Sequence, residues 1–215
     1  MPNQPPGAFP NMLFYETLNQ KQKDVLERLK PLMPRFWLAG GTNLALRLGH
    51  RKSVDFDFFT GADFDTEKLF QEIKKLVGNS SLQRIQEEKN TLTVIADTVK
   101  ISFFTYPYPL ISPTETVDGI VLASLDDIAG MKAATIVSRA TLKDYVDLYV
   151  LLQRVPLDRL LRIVRQKTPE IDPNLVLKSI VYLDDIPEET IDYVNTNPLS
   201  FDELKVFFRN LVKPR

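Results

Sequence analysis

Asp55 and Asp57 stand one residue apart in SVDFDFF, residues 53–59. That stretch alternates with period two and is rich in aromatic and β-branched residues, so it reads as a strand. On a strand, residues i and i+2 project to one face, about 6.5–7 Å apart. Val54, Phe56 and Phe58 then face a core on the other side. Two neighbouring carboxylates repel, and burial raises the cost. A divalent cation relieves both. Hard oxygen ligands suit Mg²⁺ or Mn²⁺, which keep water and take phosphate oxygens from a substrate, the arrangement used in phosphoryl transfer. The competing reading is a solvated acidic strand face.

Upstream, Gly40-Gly41-Thr42 falls between the short apolar strand RFWLA and the helical pattern TNLALRLG. Glycines there form a turn, let a phosphate approach the backbone, and leave the N–H groups of a helix start free for an anion. Strand, Gly-Gly-Thr, helix and returning acidic strand place a phosphate cradle beside a metal site. Ser53 shares the face of Asp55 and Asp57, as a phosphate contact or as a plain hydroxyl at the start of the strand. His50 reads as a polar loop residue just past the helix cap at Gly49.

A second set of charges lies in KAATIVSRATLKDYVDLYVLL, residues 132–152. On one continuous helix Lys132, Arg139 and Lys143 fall within roughly a 40° sector. Lys132 and Arg139 can then meet phosphates, one as a point charge and one as a planar fork. Asp144 and Asp147 can orient Lys132 or accept a proton from an attacking hydroxyl. Salt bridges on a solvated face are the bland alternative. Arg154, Arg159, Arg162 and Arg165 make the next segment locally basic, which suits an RNA backbone or an ordinary solvated helix face. Trp37 and the other aromatics read as core.

The elements that must hold these residues follow from the pattern. ETLNQKQKDVLERLKPLM and DTEKLFQEIKKLVG are amphipathic helices. SLQRIQEEKNTLTVIADTVKISFFTY reads as three strands with turns at Lys89-Asn90 and Asp97-Thr98. YPYPLISPTETVDG is a proline-rich connection and IVLAS a last short strand. From Ser124 onward the chain is helical, with Ser-x-x-acid caps at SLDD and SFDE. The expected fold class is α+β: a mixed sheet with flanking helices, then an all-helical half. The expected organisation is an irregular tail at 1–11, an α/β domain at 12–123 and a helical domain at 124–215.

Of the 215 residues 44% are apolar and 26% charged, with net charge −1, so no global basic field calls for nucleic acid. The chain has no cysteine and one histidine, which excludes disulfides, thiol chemistry and a multi-histidine metal site. Without a signal pattern or a membrane-length apolar run, the expectation is a cytoplasmic protein.

GGTNLALRLGHRKSVDFDFF, residues 40–59, resembles the signature of the DNA polymerase β-like nucleotidyltransferases. More narrowly it is similar to the AbiEii/AbiGii toxin family, through Gly40, Gly41, Thr42, His50, Arg51, Ser53, Asp55 and Asp57. Lys132, Arg139, Lys143, Asp144 and Asp147 fit that family's second block, and SIVYLDD at 179–185 resembles a late one. The likeness runs from about Phe36 to Phe208. It implies a polymerase β-like nucleotidyltransferase sheet and a Mg²⁺-dependent (or Mn²⁺-dependent) transfer of a nucleotidyl group from an NTP. Asp55 and Asp57 would hold the metal. Gly40, Gly41, Thr42, Arg51, Ser53, Lys132 and Arg139 would hold the nucleotide, with Asp147 or Asp144 assisting the acceptor. It further implies a toxin of a type IV toxin–antitoxin pair, with an RNA, notably a tRNA 3′ end, as acceptor and a cognate antitoxin as partner. Such folds usually carry a third carboxylate on a neighbouring strand. The matching place in VKISFF holds Ser102, with Lys100 on the same face. A binding module without turnover is therefore the alternative, and one metal assisted by Lys132 is the substitute consistent with activity.

Overall fold

The computed structural model describes residues 12–78 and 81–213; the expected tail at 1–11 lies outside them. Among the described residues there are seven strands in one mixed sheet and eight α-helices. In chain order these are α1 (Gln20–Leu29), β1 (Trp37–Ala39), α2 (Gly40–Leu48), β2 (Phe56–Thr60), α3 (Thr66–Val77), β3 (Leu82–Glu88), β4 (Thr91–Ala96), β5 (Val99–Thr105), β6 (Glu115–Val117) and β7 (Ile120–Leu122). The helical half follows with α4 (Leu125–Arg139), α5 (Leu142–Leu152), α6 (Leu157–Lys167), α7 (Pro173–Val181) and α8 (Phe201–Leu211).

The strands run in the order β3-β4-β5-β2-β1-β7-β6. β2 is antiparallel to β1 and parallel to β5. Its register sets Asp57 opposite Ala39 on one side and Ser102 on the other. Turns at Asn90 and at Asp97-Thr98 close the β3-β4-β5 meander, all three residues at positive φ, which Asn and Asp tolerate well. The proline-rich connection contains one strand the pattern did not suggest, β6, paired with β7.

Period two divides β2. Phe56 and Phe58 join Ile101 and Phe103 in a first core with Leu29 of α1 and Ile73 of α3. Asp57 and Phe59 take the other face, where Trp37 and Phe59 pack on a second core built from the helical half. The strand is shorter than expected. Its ladder starts at Phe56, because β1 ends where α2 begins, and Val54 is 62% exposed rather than in the core.

α2 lies between the two cores. Leu46 belongs to the first, Leu44 and Leu48 to the second, and every residue from Thr42 to Leu48 is buried. The side chain of the buried Asn43 donates to the Leu38 and Ala123 carbonyls, fixing α2 to the end of β1 and to the β7–α4 junction. Gly49 ends the helix at φ +64°, where a Cβ would lie 2.8 Å from the Phe14 ring. The helices do pack directly on the sheet unit, with only Ala123 and Ser124 between β7 and α4.

A buried ion pair secures the helical half. Lys167 on α6 and Asp127 on α4 are both fully buried and bonded to each other. Asp127 also accepts from the Ile111 and Ser112 amides and from the Ser124 hydroxyl. Lys167 reaches the Pro109 carbonyl and lies 4.6 Å from the Tyr106 ring centroid. This pins residues 106–112 to α4 and α6. Asp127→Asn leaves a buried ammonium without a counter-charge, a loss of about 3–5 kcal/mol. Calorimetry of the variant is expected to show an unfolding midpoint about 6–20 °C lower; an unchanged midpoint would contradict the pinning.

Candidate active site

The chain reverses after β1 and begins α2 at Gly40, so Gly40 and Gly41 are the first helical residues rather than a separate turn. The N-cap residue, Ala39, offers no side chain to the first N–H groups. They are left to an outside acceptor, as at helix starts that bind anions. Gly40 has φ +67°, and a Cβ there would come 2.9 Å from Asp57 Oδ2. Only glycine allows both that dihedral and that approach. The Asp57 carboxylate thus lies beside the bare helix start, in the space a Gly40 Cβ would take.

Asp57 is half-buried. Burial pushes its carboxyl above the ordinary range, and the charge of Asp55 pushes the same way. Lys100, Lys132 and Arg139 act in the opposite sense without reversing the shift. The two acids thus act on one another as the i, i+2 spacing implies, although Asp55 precedes the strand. Among the described residues no group of three or more His, Asp or Glu side chains converges. A divalent ion here would rest on Asp55 and Asp57 and complete its shell with water and substrate oxygens. The unfavourable ionisation of Asp57 is the property such an ion relieves.

Gly41 opens onto a different cluster. A Cβ there would lie 2.7 Å from Arg51 Nη2, 3.5 Å from Asp147 Oδ2 and 3.6 Å from Ser53 Oγ. Asp147, on α5 and fully buried, receives Arg51 Nε at 2.7 Å and Arg51 Nη2 at 2.8 Å. His50 Nε2 lies at 2.8 Å and Lys132 Nζ at 2.6 Å. Lys132 also donates to Asp144 at 2.8 Å, and Asp144 accepts from the amide and hydroxyl of Thr141. Burial alone would raise the Asp147 carboxyl, but Lys132 and Arg51 pull it well below the usual carboxylate range. Burial works against the charge on Lys132 and Arg51, and their carboxylate partners more than restore it. Burial pushes the His50 imidazole down, against its bond to Asp147. A neutral His50 donates through Nε2, and its Nδ1 has no partner among the described residues. With His50 neutral, two cations balance two carboxylates.

These contacts revise several expectations. Asp147 spends both oxygens on cations, so of the two roles open to it the geometry supports orienting Lys132 and Arg51, not taking a proton. Asp144 is committed likewise to Lys132 and Thr141. Arg51 is buried beneath Gly41 and also donates through Nη1 to the Lys52 carbonyl, contacts that suit a brace for the site. Thr42 and Ser53 are buried; their hydroxyls lie 2.7 Å apart, and Thr42 also bonds the Asp55 carbonyl. They tie the start of α2 to the acidic segment instead of presenting hydroxyls to phosphate. Lys132 and Arg139 do share α4, but that helix stops at Arg139. Lys143 starts the next one and pairs with Glu189. His50 does lie in the loop past the helix cap, and it is fully buried there.

One feature had no local signal. Residues 192–196 close over the loop after α2: Lys52 N donates to the Asp192 carbonyl, Val194 N to that of His50, and Asn195 N to that of Gly49. Arg51 and Tyr193 form a β-bridge. Such pairing joins segments about 140 residues apart in sequence, which periodicity does not report.

The model of the AbiEii family, described as a nucleotidyl transferase toxin of a type IV toxin–antitoxin system, matches residues 24–197. The chain belongs to the AbiEii toxin family. Membership makes it a nucleotidyltransferase, and the match contains both charged blocks and the 192–196 closure. The Aquifex aeolicus protein aq_aa25 is 39% identical to this AbiEii chain over 204 residues, covering 91% of this chain and 96% of the relative. The fold is shared with MenT4, a nucleotidyltransferase toxin of Mycobacterium tuberculosis, at TM-score 0.61 and 15% identity over 89% of this chain and 80% of the other. It is shared also with JHP933 of Helicobacter pylori, at TM-score 0.55 and 18% identity over 93% of each chain. Among the described residues no helix is long and apolar enough to cross a membrane.

The Asp147 cluster makes a pH-dependent prediction. Asp147→Asn leaves two buried cations with one carboxylate and is expected to cost about 3–5 kcal/mol near neutral pH. A carboxyl held below its ordinary range stabilises in full above that range, and the stabilisation shrinks progressively as pH falls from the ordinary value toward the lowered one of the folded state. In denaturant titrations the gap between wild type and Asp147→Asn should be wide at pH 7 and narrow below about pH 4. A gap that stays constant with pH would contradict the ion-pair assignment.

Proposed function

We propose that this AbiEii chain transfers a nucleotidyl group from an NTP to an acceptor hydroxyl, with Asp55 and Asp57 as the acidic centre. The observation that carries this reading is the placement of the Asp57 carboxylate beside the uncapped start of α2 at Gly40. A place for a cation and a place for a phosphate then adjoin within one residue of backbone. The Gly40 and Gly41 amides receive phosphate oxygens, helped by the helix dipole. Arg139, exposed at the end of α4, faces the same carboxylate field and meets the outer phosphates. The Asp147 cluster holds Lys132, whose third donor is left over from its bonds to Asp144 and Asp147. Thr42, Ser53, Arg51 and His50 fix the backbone around these groups.

Asp55 and Asp57 would hold Mg²⁺ or Mn²⁺, which supplies charge to offset both carboxylates and the developing negative charge on phosphate oxygens. The acceptor hydroxyl attacks the α-phosphorus and gives its proton to water, while the bond from the α-phosphorus to the bridging oxygen breaks and pyrophosphate leaves. An RNA acceptor, a tRNA 3′ end among the candidates, and a cognate antitoxin are what the toxin family supports.

The test is incorporation of each labelled NTP into total RNA with Mg²⁺, together with the unfolding midpoint. Asp57→Asn should cut incorporation by about 10³-fold, the scale of roughly 4 kcal/mol of lost charge stabilisation. In metal-free buffer the same variant should unfold about 2–4 °C higher, since removing a repelling half-buried charge is worth about 1 kcal/mol. Full incorporation by Asp57→Asn would sink the assignment.

A further inference from the structure

The strand beside Asp57 carries a serine where an acid was sought, and a cation two residues before it. The β2–β5 register sets Ser102 directly opposite Asp57, so the two share a face. Ser102 is buried, and its hydroxyl is engaged by Thr93 Oγ1 at 3.2 Å. Two residues earlier, on that same face, stands Lys100. It is exposed, and among the described residues it makes no hydrogen bond or ion pair.

Lys132 is differently placed. Its ammonium is buried against Asp144 and Asp147, and with Arg51 the cluster sums to zero charge. It therefore brings no net positive charge to a polyanion. A triphosphate entering beside Asp55 and Asp57 meets two carboxylates and needs cationic charge that is not already spent. Lys100 has that charge, lies on the correct face, and has the reach and freedom of an exposed lysine.

We propose that Lys100 is a triphosphate-binding residue of this enzyme, taking on β5 the charge role that an additional acid and its metal ion would otherwise fill. This rests on the nucleotidyl-transfer reading above. The site then recognises its nucleotide partly through a lysine that works without metal. The separation of roles is specific: Asp57 governs the metal-dependent part of nucleotide affinity, and Lys100 a part that persists in chelator.

Calorimetric titration with a non-hydrolysable NTP analogue, in EDTA and in Mg²⁺, tests this on wild type, Lys100→Met, Lys100→Arg and Asp57→Asn. Lys100→Met should weaken binding about tenfold in both buffers, the size of one charged hydrogen bond to phosphate. Lys100→Arg should restore most of it. Asp57→Asn should lose the gain given by Mg²⁺ yet bind in EDTA at least as well as wild type. If wild type binds, Asp57→Asn loses the Mg²⁺ gain and Lys100→Met binds like wild type, the lysine assignment is overturned while the transfer reading stands. If wild type binds no NTP analogue in either buffer, both fall.

Discussion

The buried carboxylate of Asp147 is the constraint on which the site depends. A fully buried anion must be surrounded by donors, and three of them come from elements far apart in sequence. His50 and Arg51 come from the loop after α2, Lys132 from α4. Satisfying one charge therefore fixes the helical half against the strand–helix–strand unit. Gly41 is the steric condition for it, because a Cβ there would collide with the Arg51 guanidinium.

Two aspartates with opposite circumstances lie on either side of the Gly40-Gly41 step. Asp147 has all the cations it needs and is held ionised. Asp57 has a second carboxylate beside it, no direct cationic partner among the described residues, and an unfavourable ionisation. One is structurally complete and the other is chemically open. That contrast, more than the presence of acids, separates the brace from the place where a ligand binds. The hydroxyls of Thr42 and Ser53 belong to the brace, since they join α2 to the segment that carries Asp55.

What was legible in the sequence was local. Period two placed Asp57 opposite Phe56 and Phe58, glycine at 49 marked a helix end, and Asn90 and Asp97 marked turns that do take positive φ. The family likeness reached the nucleotidyltransferase fold. What failed was non-local. Whether a hydroxyl or a guanidinium is free for a substrate depends on what else it touches: the Thr42 and Ser53 hydroxyls bond each other, and Arg51 donates to Asp147 and to the Lys52 carbonyl. The shared face of Lys132, Arg139 and Lys143 assumed one continuous helix, and the chain breaks at Ala140 and Thr141, where Thr141 and Asp144 bond to start a new one. Lys100 was noted only as sharing the face of Ser102, because its value appears once Lys132 is seen to be neutralised.

The most direct measurement is anomalous diffraction from crystals grown with Mn²⁺ and a non-hydrolysable NTP analogue. The arrangement predicts a manganese peak between the carboxylates of Asp55 and Asp57, with phosphate oxygens on the Gly40 and Gly41 amides and the Asp147 cluster undisturbed. A manganese peak away from both acids, or a nucleotide seated elsewhere on the fold, would contradict it.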